Sequence, residues 1–201
     1  MDGRHLSLRK RLGLELYRRL HREAVERHEL RTLFWECTLR CNLACRHCGS
    51  DCRTDPGVKD MPAEDFLRVL DEEVTPHVDP AGVLVILSGG EVLVRDDLER
   101  IGSEIARRGY PWGMVTNGLA LTPERLHGLI RAGLRTISVS LDGFEREHNR
   151  IRCNPASFAR AMDAVRHIVR EPELAFDVVT CVTEPLVPRL EAFRDRLISE
   201  G

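Results

Sequence analysis

Three cysteines carry the most specific chemistry in this chain: Cys41, Cys45 and Cys48, separated by three and then two residues. Thiolates are soft donors, and three of them in one short stretch suit an iron–sulfur cluster or zinc. Three thiolates hold three irons of a cubane and leave the fourth iron without a protein ligand. Such a vacancy accepts the amino and carboxylate groups of a small molecule. A structural zinc site instead closes four ligands around one ion, and His47, Cys52 or Cys37 would supply the fourth. Spacing alone favours the cluster and leaves zinc open.

The remaining candidates are scattered along the chain. Gly89 and Gly90 precede Glu91, so main chain that can approach a ligand closely stands beside a carboxylate. Thr116, Asn117 and Gly118 end an apolar run, where a ligand contact and an ordinary Asn-Gly turn are equally good readings. Ser140 stands just before Asp142 and Gly143, and Arg152 follows. A guanidinium binds a carboxylate through two parallel hydrogen bonds, although a surface ion pair would use the same group. Cys37, Cys52, Cys153 and Cys181 receive no role, because a free cysteine is often a small buried side chain. No Ser-His-Asp or paired-carboxylate arrangement stands out.

These residues need a scaffold, and from Leu33 onward short β-type runs alternate with helical patterns. Such alternation marks a parallel sheet of strand–helix units. Five strands are expected, at Leu33–Cys37, Gly82–Leu87, Trp112–Thr116, Thr136–Leu141 and Ala175–Val182. Helical periodicity is clearest in Phe158, Ala161, Met162, Val165, Ile168 and Val169, which share one face. Thr122-Pro123 and Asn154-Pro155 each set a capping side chain before a proline suited to the first helical position. About two dozen residues separate Cys37 from the helix expected near Pro62. A loop that long in a compact unit is usually functional, and this one holds the three spaced cysteines.

Length and composition bound the rest. A chain of 201 residues with 42% apolar content buries one substantial core, which favours one domain. The net charge of -2 gives no global signal for nucleic acid. Residues 1–31 carry nine Lys or Arg against five Asp or Glu, and Leu12, Leu16 and Leu20 recur at helical spacing. This arm reads as a basic amphipathic helix with solvated arginines, apart from a core at 32–201. No apolar run approaches the roughly 18 to 20 residues that span a bilayer, and no secretory signal opens the sequence. A cytoplasmic protein is expected. Five of the seven cysteines fall between positions 37 and 52, too uneven for a disulfide scaffold. In a reducing cytosol such a cluster binds metal.

Taken in order, the motifs resemble those of the radical S-adenosylmethionine (SAM) superfamily. The spacing of Cys41, Cys45 and Cys48 is its signature. Gly89, Gly90 and Glu91 are similar to its Gly-Gly-Glu-Pro motif, with Val92 in place of the proline. Thr116, Asn117 and Gly118 look like its Thr-Asn-Gly turn. Ser140 to Gly143 and His148 to Arg152 resemble phrases common in its peptide-modifying members, with Cys153 where glycine is usual. The resemblance runs from about Leu33 to Val182 and implies an α/β fold, a partial (β/α) barrel with a parallel sheet and five of the usual six strand–helix units. It implies a 4Fe-4S cluster on Cys41, Cys45 and Cys48. It also implies contacts to SAM from Gly89, Gly90, Glu91, Thr116, Asn117, Ser140 and Arg152. His47 occupies a position where the family often sets an aromatic ring beside the adenine.

Trp35 to Thr38, leading into Cys48 to Cys52, looks most like the subgroup with a C-terminal SPASM domain, whose members modify peptides or proteins. Neither that domain nor a sixth unit is found, so the chain reads as an incomplete core. The implied function is reductive cleavage of SAM to a 5′-deoxyadenosyl radical that abstracts hydrogen from a peptide or protein. The implied electron donor is a flavodoxin or ferredoxin, and no nucleic acid or membrane span is implied. A zinc-stabilised binding module and a non-catalytic fragment that binds cluster and SAM are the alternatives.

Overall fold

The computed structural model describes residues 7–200. The chain divides at Arg31 and Thr32 into two units. The first is helix α1 (Leu8–Arg27), capped by Ser7, whose side chain accepts from the Lys10 N–H. Leu12, Leu16 and Leu20 of its stripe are exposed.

In the second unit strands and helices alternate. Their order is β1 (Thr32–Thr38), α2 (Ala63–Val69), β2 (Leu84–Gly89), α3 (Leu98–Arg107), β3 (Trp112–Thr116), α4 (Pro123–Arg131) and β4 (Leu134–Ser140). There follow α5 (Glu145–Arg152), α6 (Ser157–Ile168), β5 (Ala175–Val179) and α7 (Leu190–Ile198). The five strands pair in chain order, and every pairing is parallel. This is the parallel sheet that the strand–helix alternation predicts, in the partial (β/α) barrel that the resemblance implies.

Register explains where the core sits. Trp35 lies beside Leu87, Leu87 beside Met114, Met114 beside Ile137 and Ile137 beside Phe176. Successive residues of a strand point to opposite faces, so this apolar row faces the helices. Trp35, Leu87, Met114 and Ile137 pack with Ile101, Ile105, Leu126, Leu129, Met162 and Val165 in one buried cluster, while Phe176 on the edge strand is exposed. Helix and sheet approach closely at Gly102 of α3, where a Cβ would enter the Trp112 ring. The indole Nε1 donates to the Ala132 carbonyl at 3.1 Å. The opposite face of the sheet carries Glu36, Ser88, Val115, Ser138 and Asp177, a polar surface at the strand ends that hold the candidate residues.

Boundaries differ from the expected ones at several elements: β1 is one residue longer at each end, and β4 runs from Leu134 to Ser140 rather than from Thr136 to Leu141. β2 starts two residues late and continues to Gly89, since its outer residues pair with β1 up to Thr38. β5 stops at Val179 rather than Val182. Its carbonyl still accepts the Leu141 N–H at 2.9 Å, but Thr180 Oγ1 then turns to the Leu141 carbonyl at 2.8 Å. Thr122 caps α4 as expected, whereas Asn154 does not cap α6. The Asn154 side chain accepts the Ala156 N–H at 2.8 Å, a local turn that delays the helix to Ser157. Among the described residues no helix is long and apolar enough to cross a membrane.

Candidate functional site

The loop after β1 is stitched to its surroundings by main chain. Cys41 N–H donates to the Arg53 carbonyl at 2.8 Å, and Arg53 N–H donates to Leu39 at 3.3 Å. Cys41, Leu43 and Cys52 form a small buried group of their own, separate from the main core. On the other side, Gly90 N–H donates to the Thr38 carbonyl at 2.7 Å and Glu91 N–H to the Arg40 carbonyl at 2.9 Å. Only glycine permits this approach. Gly89 has φ +128°, and a Cβ on either glycine would overlap those two carbonyls. The double glycine therefore seats the cysteine loop against β2. Val92 occupies the first position of a short 3-10 turn (Val92–Val94), where an N–H has no partner to lose; this is why proline suits the position and valine also serves.

A cavity of about 160 Å³ opens at the C-terminal ends of the strands. It is lined by Cys41, Cys45, Cys48 and His47, by Gly89 and Gly90, by Thr116 and Asn117, and by Ser140 and Arg152. The sequence-predicted residues thus meet in one place, with one exception. Glu91 is fully buried and absent from the lining. Its Oε1 accepts from Leu93 N–H at 3.1 Å and Thr116 Oγ1 at 2.7 Å, and its Oε2 accepts from Asn117 N–H at 2.7 Å. Burial raises its pKa above the ordinary carboxylate value, against the pull of these bonds. In this geometry the carboxylate ties the β2 turn to the β3 turn. Asn117 in turn donates from Nδ2 to Asn42 Oδ1 at 2.8 Å, which joins the β3 turn to the cysteine loop.

On the β4 side one buried carboxylate organises the wall. Asp142 Oδ2 accepts from Arg152 Nε at 2.7 Å and lies 3.3 Å from His47 Nε2; its Oδ1 accepts from Cys181 N–H at 3.0 Å. Burial alone would raise the Asp142 pKa, but the Arg152 guanidinium, the Cys181 amide and His47 hold it below the usual value. Arg152 Nη1 also reaches Cys45 Sγ at 3.9 Å. Beneath them His148 is completely buried. Its Nδ1 accepts from Asp142 N–H at 3.0 Å, so Nε2 carries the proton toward Ser157 Oγ at 2.9 Å. Burial, reinforced by the Arg152 charge, pushes the His148 pKa down to about 4.

Sequence reasoning did not assign Asp142, whose importance lies in contacts to remote segments. Cys52 also lines the cavity, and burial pushes its thiol up to about 12. Cys153 caps α5 in the left-handed region at φ 54°, which accounts for the glycine usually found there.

The residues present fit an iron–sulfur cluster with a small carboxylate-bearing ligand. Three thiols, glycine main chain and a guanidinium share one wall-to-wall cavity. Burial raises the Cys41 and Cys45 thiols, so both give up protons when metal binds. Among the described residues no three His, Cys, Asp or Glu side chains converge on a single ion.

The profile of the radical SAM superfamily matches residues 35–183. The AdoMet-dependent heme synthase of Methanosarcina barkeri (strain Fusaro / DSM 804) is 34% identical over 159 residues, covering 77% of this chain and 43% of that protein. The chain spans about two fifths of the length of the heme synthases it matches. Among solved structures, native anSMEcpe with bound AdoMet superposes with a TM-score of 0.69 at 18% identity, over 86% of this chain and 49% of that one. Streptococcus suis SuiB bound to precursor peptide SuiA gives a TM-score of 0.65 at 15% identity, over 98% of this chain and 45% of that one. Both show the same fold. With the profile matching well over half of its length, the chain belongs to the radical SAM superfamily.

Proposed function

We propose that this chain is the cofactor-binding core of a radical SAM enzyme that acts on a peptide or protein in the cytoplasm. Proteins of the superfamily use a 4Fe-4S cluster and SAM. When bound, the two supply reductive cleavage of the sulfonium and a 5′-deoxyadenosyl radical for hydrogen abstraction. The observation that carries the reading is the single cavity shared by Cys41, Cys45, Cys48, Gly89, Gly90 and Arg152.

In this reading the three thiolates hold three irons. Arg152, oriented by Asp142 through a 2.7 Å bond, offers its guanidinium to the SAM carboxylate. Gly89 and Gly90 let main chain reach the amino group, and Ser140, Thr116 and Asn117 line the remaining wall. His47, anchored at 3.3 Å by Asp142, presents its ring to the adenine. Glu91 acts indirectly, by fixing the two turns that carry these contacts. A flavodoxin or ferredoxin supplies the electron. The subgroup is the SPASM-containing one, with the rest of the enzyme beyond this core. A peptide substrate is supported by the likeness to SuiB, solved with its precursor peptide.

A second reading, a role in heme synthesis, is favoured by the 34% identity to the Methanosarcina barkeri protein. The two readings differ in substrate and call on the same cofactor-binding residues of this chain.

Anaerobic reconstitution tests the core claim. The expected product is brown protein with about four irons per chain that forms 5′-deoxyadenosine from SAM and dithionite. Colourless protein with one zinc would refute the reading. Brown protein without 5′-deoxyadenosine would mark a binding fragment rather than a catalyst.

A further inference from the structure

The cysteine loop spans residues 39–62, and its two ends meet. At the far end, Asp60 Oδ1 accepts from Thr38 Oγ1 at 2.7 Å, while Oδ2 accepts from Arg40 Nε at 3.1 Å and Nη2 at 2.6 Å. Thr38 Oγ1 also accepts the Arg40 N–H at 3.0 Å. A single carboxylate thus grips Thr38 and Arg40, three residues and one residue before Cys41. Arg95 completes the closure from the β2 side. It is 5% exposed, and its Nη1 donates to the Cys37 carbonyl at 2.6 Å and the Met61 carbonyl at 3.2 Å. These two carbonyls stand at opposite ends of the loop. Arg95 is itself held by Asp97 through two bonds of 2.8 and 3.0 Å. Thr38 and Arg40 are also the residues whose carbonyls receive Gly90 and Glu91. Asp60 therefore acts on the strand end that sets both Cys41 and the glycine turn.

We propose that Asp60 is a positioning residue, a clasp that closes the base of the cysteine loop and thereby sets the spacing of Cys41, Cys45 and Cys48. Charge-assisted bonds of this kind are short and strong. Long loops without such closure open locally at little cost. The clasp touches neither thiol nor cavity, so its loss loosens the loop while the sheet stays folded. The closure is a property of the metal-free chain. Its consequence for a cluster rests on the reading of the three cysteines as ligands.

Two measurements on the full chain keep these apart. In metal-free protein, alkylation of Cys41 by iodoacetamide is followed by mass spectrometry, with hydrogen exchange of the β3 and β4 amides as the reference for the sheet. Asp60→Ala should speed Cys41 alkylation by roughly tenfold, the factor that goes with losing bonds of this strength, and leave β3 and β4 exchange unchanged. Asp60→Asn should move Cys41 in the same direction, and it decides the matter if Asp60→Ala does not fold. Arg68→Ala, which removes an exposed ion pair with Asp65, should change neither. An unchanged Cys41 rate, or β3 and β4 exchange rising in step with it, would overturn the clasp. In reconstituted protein, the same variants should release iron to a ferrous chelator faster than the parent chain, with Asp60→Glu restoring part of the retention. Release at the parental rate from a variant with freed Cys41 would overturn the link to cofactor spacing. If Cys41 is freed as expected and the parent chain takes up no iron, the cofactor reading fails and the clasp stands.

Discussion

Trp112 is fixed by what surrounds it in bulk: an apolar row of the sheet, the bare main chain of Gly102 and a single hydrogen bond to Ala132. Cys41 is fixed by main chain and charge instead, through Arg53, the Thr38 and Arg40 carbonyls beneath the double glycine, and Asn117 reaching across from β3. The first kind of hold is non-directional and shared among many atoms. The second is directional and shared among few. Damage to the sheet should therefore cost stability everywhere, whereas damage in the loop or the cavity wall should change the site while the barrel persists.

Four substitutions separate the two kinds of hold, in falling order of effect. Cys45→Ala should abolish iron uptake in anaerobic reconstitution without altering the circular dichroism of the metal-free chain; a variant that keeps a full cluster would remove Cys45 from the ligand set. Trp112→Ala should cost about 3 to 5 kcal/mol in urea denaturation, the range for deleting a large buried aromatic, and should leave the relative reactivity of the loop thiols unchanged below the transition.

Acid tests the polar wall. His148 is held neutral, with its pKa near 4 against an ordinary 6.5, so the unfolded chain binds more protons between these values. Stability is full above about pH 6.5 and falls as pH drops toward 4, by about 3 kcal/mol in all. Asp142, held below its usual value, loses its contribution at still lower pH. Denaturation curves of the parent and His148→Gln should differ in slope across this window, and parallel curves would exclude His148 as the source. Smallest is Cys153→Gly, which relieves a left-handed cap and should raise stability by about 0.5 to 1 kcal/mol with iron content unchanged.

The apolar row made the strands legible, because Trp112–Thr116 and its neighbours carry β-type residues that any parallel sheet would bury. The ends were less legible, since β5 stops where Thr180 turns to Leu141, a contact between segments far apart in sequence. The cysteines and glycines of the cavity announced themselves through spacing. Asp60 did not, because a lone Asp in a polar stretch gives no sign of the guanidinium it will meet, and Asp142 stood in the Ser140–Gly143 phrase without any sign of Arg152, His47 or the Cys181 amide as its partners. Glu91 shows the opposite case: its motif pointed to a ligand, and its carboxylate is committed to the protein's own amides and hydroxyl.

The Thr116 hydroxyl gives that commitment a direction. It accepts the Gly118 N–H at 3.1 Å, so its own hydrogen is left to point at Glu91. All three partners of Glu91 are then givers of hydrogen, and the pocket reads one pattern of polarity and refuses its inverse. Glutamine, nearly identical in shape, would bring an NH₂ into a place where every neighbour already offers a hydrogen. The turn between β2 and β3 thus tests its side chain by proton ownership rather than by size.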